Sequence, residues 1–226
     1  MKIPVITDLL DLFLPVMCAG CREIIISDQV LCKECMAQMD EHRLLPEVEL
    51  LNGLPVIAPF EYAFPLNSLI VTAKTRDLPH LLNPLVREMK SALIEAGLGN
   101  YPQVIVPVPL HHARKRERGF DQARYLAEQV ADLLDRPYLP DAIRRIRATP
   151  PQKRADRKQR LMALHGAFGP GRQADLMVGQ RVLLVDDVVT TGATVRSACE
   201  AIQSIMHSGV LAAVAARTPL SLSLRE

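Results

Sequence analysis

One stretch of thirteen residues, Val182 to Thr194, constrains the fold of this chain more than any other. It begins with four apolar residues, continues with the adjacent aspartates Asp186 and Asp187, and then turns through a threonine- and glycine-bearing loop. The apolar residues that follow recur every three or four positions, which is the spacing of one buried helix face. The stretch therefore predicts a buried strand, a short loop and a helix.

The position of the two aspartates predicts a ligand site. Ligands of open α/β sheets bind beyond the carboxyl ends of the parallel strands, where Asp186 and Asp187 would accept hydrogen bonds from sugar hydroxyls. The loop that follows offers hydroxyls and N–H groups at a helix N-terminus, a favourable place for a phosphate. It comprises Thr190, Thr191, Gly192, Ala193 and Thr194. We therefore expect a ribose-phosphate site; the alternative is a solvated Asp-Asp turn followed by a threonine cap.

Two other motifs with acidic residues at a strand end are excluded. A Walker B strand would require a partner loop of the Gly-x-x-x-x-Gly-Lys-Ser/Thr type, which the chain lacks. The acidic pair of a response regulator is expected near the start of its domain. Here the pair follows most of the chain, so that interpretation does not fit its position.

Four of the five cysteines lie in two Cys-x-x-Cys pairs, a pattern typical of metal thiolates in an intracellular chain. The pairs are Cys18 with Cys21 and Cys32 with Cys35. Each pair places two thiolates on one tight turn, and together they complete a tetrahedral shell for zinc with no open position. We therefore expect a structural zinc ion. A redox dithiol and unliganded cysteines are the alternatives, and His42 is a competing ligand that we expect to be solvated instead.

The composition is that of a folded chain with room for one ordinary domain and a small appendage, since 49% of the 226 residues are apolar and 23% are charged. Prolines and a glycine between Leu44 and Pro59 mark a boundary. We expect an N-terminal helix and zinc-binding module at 1–48, the helix covering 1–17, and an α/β domain at 49–226.

No apolar run reaches the ~18 residues that a membrane span needs, and no signal peptide is apparent, so the expected location is cytoplasmic.

Positive charge is concentrated in two segments, 111–118 and 144–160, which hold 12 of the 27 lysines and arginines. The first follows a predicted strand at 104–109 and precedes a helix, which makes it an anion site by position. The second is extended by Pro150 and Pro151 and would close over an anionic substrate. A solvated basic turn and an exposed basic arm are the alternatives. The net charge of +2 implies no general attraction to nucleic acid.

The hydrophobic periodicity of the remaining chain predicts alternating strands and helices. Helices are expected at 66–74, 77–96, 120–133 and 195–206, and strands at 55–62, 104–109, 182–185 and 210–216. Residues 166–168 are expected to re-enter the main sheet before a turn at 169–171. This alternation is typical of a parallel sheet flanked by helices.

Taken together, these segments resemble the ComF family of phosphoribosyltransferase-like proteins, also labelled GntX. The thirteen-residue stretch resembles the phosphoribosyl pyrophosphate (PRPP) motif of the type I phosphoribosyltransferases. The other matching features are the two cysteine pairs, Lys74, Val106 to Leu110, Arg114, Arg116, Arg118 to Phe120, Gln122, Ala123, Gln152, Arg157, Arg160 and Gly166 to Phe168. The resemblance implies a type I phosphoribosyltransferase-like parallel sheet flanked by helices, with a small N-terminal Cys₄ zinc-ribbon-like module.

The resemblance also implies roles for individual residues. Asp186 and Asp187 would hold the ribose hydroxyls, the 190–194 loop would hold the 5′-phosphate, and Mg²⁺ would be bound largely through PRPP itself. Residues expected on the pyrophosphate side are Lys74, Arg114, Arg116, Arg118, Gly119, Arg157 and Arg160. Two positions depart from the family pattern, because Asp121 and Ala163 stand where the family usually has asparagine.

Two functions follow from the resemblance. One is Mg²⁺-dependent transfer of the phosphoribosyl group from PRPP to an unidentified acceptor. The other is a non-catalytic accessory role in competence and DNA uptake, in which the chain binds single-stranded DNA, a helicase or other DNA-uptake proteins. Only 4% of the residues are aromatic and none is tryptophan. Any DNA binding would therefore depend on phosphate contacts and weaken with salt.

Overall fold

A computed structural model describes residues 16–25, 29–51, 53–110, 120–147, 166–205 and 209–219. The strands in these ranges are β1 (Val16–Met17), β2 (Ile24–Ile25), β3 (Glu49–Leu51), β4 (Leu54–Ile57), β5 (Phe60–Glu61), β6 (Val104–Pro107), β7 (Ile143–Arg145), β8 (Phe168–Pro170), β9 (Val182–Val189) and β10 (Val210–Arg217). The α-helices are α1 (Lys33–Glu41), α2 (Leu66–Thr75), α3 (Asn83–Glu95), α4 (Gln122–Leu134) and α5 (Ala193–Ile205). Two short 3₁₀ helices span Pro79–Leu82 and Ala174–Met177.

The main sheet has six strands in the order β3-β4-β10-β9-β6, with β5 also paired to β10. Neighbouring strands are parallel except for β3 and β4, which form an antiparallel pair. Leu184 of β9 lies between its two neighbouring strands and pairs with Ala212 of β10 and with Val106 of β6. The carboxyl ends of β4, β6, β9 and β10 therefore meet at one edge of the sheet, which confirms the predicted parallel α/β architecture.

Helices cover both faces of the sheet. Helices α2, α3 and α4 pack with Leu183 and Val185 in one buried cluster. Helix α5 and the β7–β8 hairpin pack with Val182 and Leu184 in the other. Because successive side chains of a strand point to opposite faces, a strand covered on both faces must be apolar at every position, and the Val-Leu-Leu-Val run of β9 meets that requirement.

The N-terminal module is a short hairpin followed by α1. Strand β1 pairs antiparallel with β2, with Val16 opposite Ile25 and Met17 opposite Ile24. The prediction that the first helix extends to residue 17 is therefore wrong for Val16 and Met17, whose backbone groups are used by the hairpin. Residues 1–15, where the rest of that helix was predicted, lie outside the described residues.

Two helix predictions need correction. The helix expected from Asp77 begins as a 3₁₀ helix at Pro79 and becomes α-helical only at Asn83. The reason is the backbone of Asp77, which is left-handed with φ of 56° and cannot begin a helix. The helix expected at 120–133 begins only at Gln122 in α4, and Leu133 near its end is 41% exposed. No helix in the described ranges is long and apolar enough to cross a membrane.

Residues 166–168 do not re-enter the main sheet. Strand β8 pairs with β7 instead, with Arg145 opposite Phe168, and the two form a separate two-stranded sheet. Ile143 and Phe168 are buried in the cluster that contains α5. The hairpin therefore covers one face of the main sheet, and Gly169 and Pro170 belong to a strand and not to the predicted turn.

Candidate functional site

Asp186 and Asp187 lie in the second half of β9, at the carboxyl edge of the sheet, and both are half-buried. The Oδ1 atom of Asp186 accepts a hydrogen bond from the backbone N–H of Asp187 at 2.9 Å. The Oδ1 atom of Asp187 accepts one from the N–H of Val188 at 2.7 Å. Both carboxylates are thereby held in place by the strand that carries them.

The surroundings of Asp186 disfavour the negative charge of its carboxyl group. Although part of Asp186 is exposed, the surrounding protein withdraws its carboxyl group from water, and this burial raises its pKa well above the usual range. The negative charge of Asp187 raises that pKa further, while the N–H of Asp187 opposes the shift. A bound group that donates hydrogen bonds or carries positive charge would stabilise the ionised pair.

The loop after β9 leads directly into α5, as the sequence predicted. Gly192 adopts a φ of 74°, a left-handed conformation that glycine tolerates and other residues rarely adopt. The hydroxyl of Thr191 accepts a hydrogen bond from the N–H of Ala193 at 3.5 Å. Helix α5 then begins at Ala193, so its first N–H groups lie beside the acidic pair in sequence and at the same edge of the sheet. This is the strand, loop and helix arrangement that the PRPP-like motif predicted.

Most residues predicted on the pyrophosphate side lie outside the described residues. They are Arg114, Arg116, Arg118, Gly119, Arg157 and Arg160, and their roles stay predictions. Lys74 is described: it is half-buried in the last turn of α2 and takes part in an interaction with the protein. Its place on the pyrophosphate side is also still a prediction.

Tyr62 is a site residue that sequence reasoning missed. It follows β5, and its backbone N–H donates to the carbonyl of Arg217 at the end of β10, at 2.7 Å. Burial raises the pKa of Tyr62, and the charge of Asp187 raises it further, so the phenol belongs to the surroundings of the acidic pair. The signal in the sequence was its position at the end of the extended segment 55–62, which reaches the same edge of the sheet.

Asp121, one of the two departures from the family pattern, is the N-cap of α4. Its side chain accepts a hydrogen bond from the N–H of Arg124 at 3.2 Å. Asparagine and aspartate cap helices about equally well, so the departure preserves the cap. The difference is the added negative charge, which contributes to the raised pKa of Asp186.

Arg217, at the end of β10, is a second residue that the sequence did not single out. Its side chain is buried and pairs with Glu49 of β3 at 2.6 Å and with Glu61 of β5 at 3.9 Å. The pairing joins three strands next to the acidic edge. It depends on residues distant in sequence, so periodicity could not indicate it.

The four paired cysteines form a cluster that could hold a metal ion such as zinc. Their Sγ atoms all lie within 4.8 Å of one another. The Sγ atoms of Cys21 and Cys32 are 3.8 Å apart. A tetrahedral site with Zn–S bonds of about 2.3 Å requires sulfur separations of roughly 3.8 Å, so the thiols need little rearrangement to bind zinc.

Backbone groups prepare this cluster for a cation. Burial alone would raise the pKa of Cys18, but the N–H groups of Cys32, Cys21 and Gly20 act on its sulfur and lower that pKa to about 7. Burial and the neighbouring thiols raise the pKa of Cys35, and a bound cation would favour its thiolate form. A Cβ atom on Gly20 would lie 2.8 Å from the sulfur of Cys35 and 2.8 Å from Cβ of Pro65, so the turn accommodates only glycine without rearrangement.

The family model for the phosphoribosyl transferase domain matches residues 121–221, which contain the acidic pair and its loop. Competence protein F of Haemophilus influenzae is 30% identical over 186 residues, covering 79% of this chain and 80% of that protein. DNA utilization protein YhgH of Escherichia coli K12 is 31% identical over 204 residues, covering 86% of each. Competence protein ComFC of Bacillus subtilis is 34% identical over 115 residues, covering 51% of this chain and 43% of that protein. The chain therefore belongs to the ComF family and contains a phosphoribosyltransferase-like domain.

Proposed function

We propose that this protein binds PRPP with Mg²⁺ and transfers the phosphoribosyl group to an acceptor. The observation that carries the proposal is the pair Asp186 and Asp187 at the carboxyl edge of the central sheet, followed at once by a loop at the N-terminus of α5. Two fixed carboxylates suit the ribose hydroxyls, and the N–H groups and hydroxyls of the 190–194 loop suit the 5′-phosphate.

The electrostatics of the pair support a role in the transfer. Hydroxyl groups of the ribose would donate hydrogen bonds to Asp186 and Asp187 and so stabilise the ionised form of Asp186, which burial disfavours. As the bond to pyrophosphate breaks, positive charge develops on the ribose, and two fixed carboxylates stabilise that charge more than the neutral ground state. Rate enhancement would come from this stabilisation and from positioning of the two reactants.

The reaction is a displacement at C1 of the ribose. A nucleophilic atom of the acceptor forms a bond to C1, the bond from C1 to a pyrophosphate oxygen breaks, and pyrophosphate leaves with the electron pair. The proton on the nucleophile passes to solvent. Mg²⁺ would be bound largely through PRPP itself. When bound, it would supply positive charge that neutralises the leaving pyrophosphate. The pyrophosphate-side residues proposed above would add to that charge.

In the same proposal, the four cysteines bind zinc in a structural role. Four thiolate ligands leave no coordination position for a substrate. Cysteines stay reduced and able to bind metal in reducing compartments, which supports a cytoplasmic location.

Release of pyrophosphate from Mg²⁺-PRPP tests the transfer, measured across a panel of heterocyclic bases and amines. We expect release that depends on one class of acceptor and is lost in the Asp187→Asn variant. Release that is equal in the wild type and this variant, or that occurs only by hydrolysis without any acceptor, would contradict the proposal.

A second candidate function comes from the names of the relatives, which include a competence protein and a DNA utilization protein. In this alternative the chain is an accessory protein in DNA uptake, and its basic segments contact single-stranded DNA or its zinc module contacts a partner such as a helicase. Binding of an oligothymidylate should then weaken steeply as salt rises, because phosphate contacts release counterions. Measurable DNA binding without acceptor-dependent pyrophosphate release would favour this alternative.

A further inference from the structure

A cleft of about 270 Å³ opens beyond the carboxyl end of β6. Pro109 and Leu110, which follow β6, and Ile143 of β7 supply apolar surface to it. The other walls come from the first turn of α4 and from the β7–β8 hairpin. Drug-sized ligands occupy pockets of about 300–1,000 Å³, so this cleft has room for a small molecule of a single ring.

Positive charge dominates the lining of this cleft. Four arginines and two aspartates line it, which leaves an excess of two positive charges. The arginines are Arg124, Arg144, Arg145 and Arg172, and the aspartates are Asp121 and Asp141. The carboxylate of Asp141 is shared, because it accepts from Arg124 at 2.7 Å and from Arg172 at 2.6 Å.

Arg144 and Arg145 are consecutive residues of β7, and Arg145 also takes part in an interaction with the protein. Arg144 is exposed, and the guanidinium of Arg145 lies 5.6 Å from the ring centre of Phe168. A planar guanidinium presents paired N–H donors that match the two oxygens of a carboxylate. An acidic group that enters the cleft therefore meets suitable donors.

The walls are fixed by contacts that do not involve a ligand. The backbone N–H of Asp141 donates to Oε1 of Gln173 at 2.8 Å, and Arg124 donates to the carbonyl of Pro140 at 3.1 Å. A Cβ atom on Gly171 would overlap the carbonyl oxygen of Asp141, so the two chain segments approach as closely as glycine permits. A cleft that is already formed loses little conformational entropy when a ligand binds.

The cleft and the acidic pair lie at the carboxyl ends of two neighbouring parallel strands, β6 and β9. The N–H of Val108 donates to the carbonyl of Val185 at 2.8 Å, which ties the chain leaving β6 to the residue before Asp186. Asp121 lines the cleft, and its charge acts on Asp186. A ligand in the cleft would therefore lie next to a sugar held by the acidic pair.

We infer that this cleft binds the acceptor of the proposed transfer, and that the acceptor is a single-ring compound with a ring N–H and a carboxylate. The inference rests on the proposed function. The apolar surface takes the ring, and Arg144 and Arg145 take the carboxylate. The ring nitrogen forms its bond to C1 of PRPP as the bond to pyrophosphate breaks, pyrophosphate leaves with the electron pair, and the N–H proton passes to water.

Calorimetry on the full chain loaded with Mg²⁺-PRPP tests this inference with ligand pairs that differ in charge. Suitable pairs are imidazole-4-carboxylate with its carboxamide, and uracil-6-carboxylate with uracil. We expect at least one acid to bind about tenfold or more tightly than its neutral partner, since a hydrogen bond to a charged group contributes at least that factor.

In the Arg144→Gln/Arg145→Gln variant, the preference for the acid over its neutral partner should fall by about tenfold. The PRPP affinity of this variant should equal that of the wild type. The matched control is Arg87→Gln, which removes an exposed arginine from α3, away from the cleft, and should retain the preference. Equal binding of acid and neutral partner, an unchanged preference in the double variant, or displacement of the acid by an oligothymidylate would overturn the inference while PRPP binding is intact. A wild-type chain that does not bind Mg²⁺-PRPP would instead overturn the proposed function, and this inference with it.

Discussion

At the scale of single residues, the negative charge of Asp186 destabilises the folded chain, although the same carboxylate is proposed to bind PRPP. An aspartate in the unfolded chain ionises near pH ~3.9. Burial and the charge of Asp187 raise the pKa of Asp186 in the folded chain above that value. Between the two pKa values the folded chain binds more protons than the unfolded chain, so the free energy of unfolding falls as pH rises through this window. Above the raised pKa the loss of stability is complete.

The variant Asp186→Asn should therefore be more stable than the wild type at neutral pH. The amide oxygen can still accept the hydrogen bond from the N–H of Asp187, while the buried charge is gone. We expect the melting temperature to rise by roughly 2–4 °C at pH 7.5, as a gain of about 1 kcal/mol gives in a chain of this size. The difference should vanish below the pKa of the unfolded residue. A variant that melts below the wild type at pH 7.5 would show that the charge of Asp186 is not destabilising.

At the scale of secondary-structure elements, Arg217 joins β3, β5 and β10 through Glu49 and Glu61. Replacing it with methionine should lower the free energy of unfolding by about 3 kcal/mol, because the loss leaves carboxylates without their buried partner. Urea denaturation measures the change. The control Arg196→Met removes an exposed pair with Glu200 on α5 and should change stability by less than about 1 kcal/mol. Similar effects of the two substitutions would mean that burial of the Arg217 pair contributes nothing.

Elements differ in how far their own sequence predicts them. The apolar run of β9 and the regular spacing of apolar residues along α5 were sufficient to predict these two elements. In both, the local pattern of apolar residues determines which faces are buried. The β7–β8 hairpin was misplaced because its packing against α5 is a tertiary contact with no local signal. The start of the third helix was misplaced because the left-handed backbone of Asp77 excludes it from a helix.

Some residues of the candidate site could likewise be predicted from the sequence, and others could not. Asp186, Asp187 and the loop that follows were predicted because they are adjacent in sequence. Tyr62 was missed because it reaches the acidic edge through the pairing of β5 with β10. The arginine-lined cleft was missed because the register of β7 and β8 assembles it from segments far apart in sequence.

At the scale of the whole molecule, the cysteine module and the phosphoribosyltransferase-like domain share one core. Cys35 and Met39 are buried in the same cluster as Leu69 of α2. The hydroxyl of Thr72 donates to the carbonyl of Ala19 at 3.3 Å, which also links the two parts. The domain boundary at residue 48 stays a prediction. Because of these contacts, we expect the two parts to unfold together.

Removal of the metal should therefore destabilise the entire chain. A zinc-loaded protein treated with a chelator should melt in a single transition at a lower temperature, because bound metal stabilises only the folded state. Calorimetry with metal analysis measures both effects. Cys35→Ser provides the control, since it should lack zinc from the outset and show no further shift with chelator. Two separate transitions, one of them insensitive to the chelator, would show that the module does not stabilise the domain.

The central claim is that Asp186 and Asp187 hold the ribose of PRPP, and calorimetric titration with Mg²⁺-PRPP tests it most directly. The double variant Asp186→Asn/Asp187→Asn should lose detectable binding while it remains folded. The matched control is Asp132→Asn/Asp175→Asn, which removes two exposed aspartates outside the site and should bind as the wild type does. Equal affinity of the wild type and the Asp186→Asn/Asp187→Asn variant would contradict the assignment of the acidic pair to PRPP.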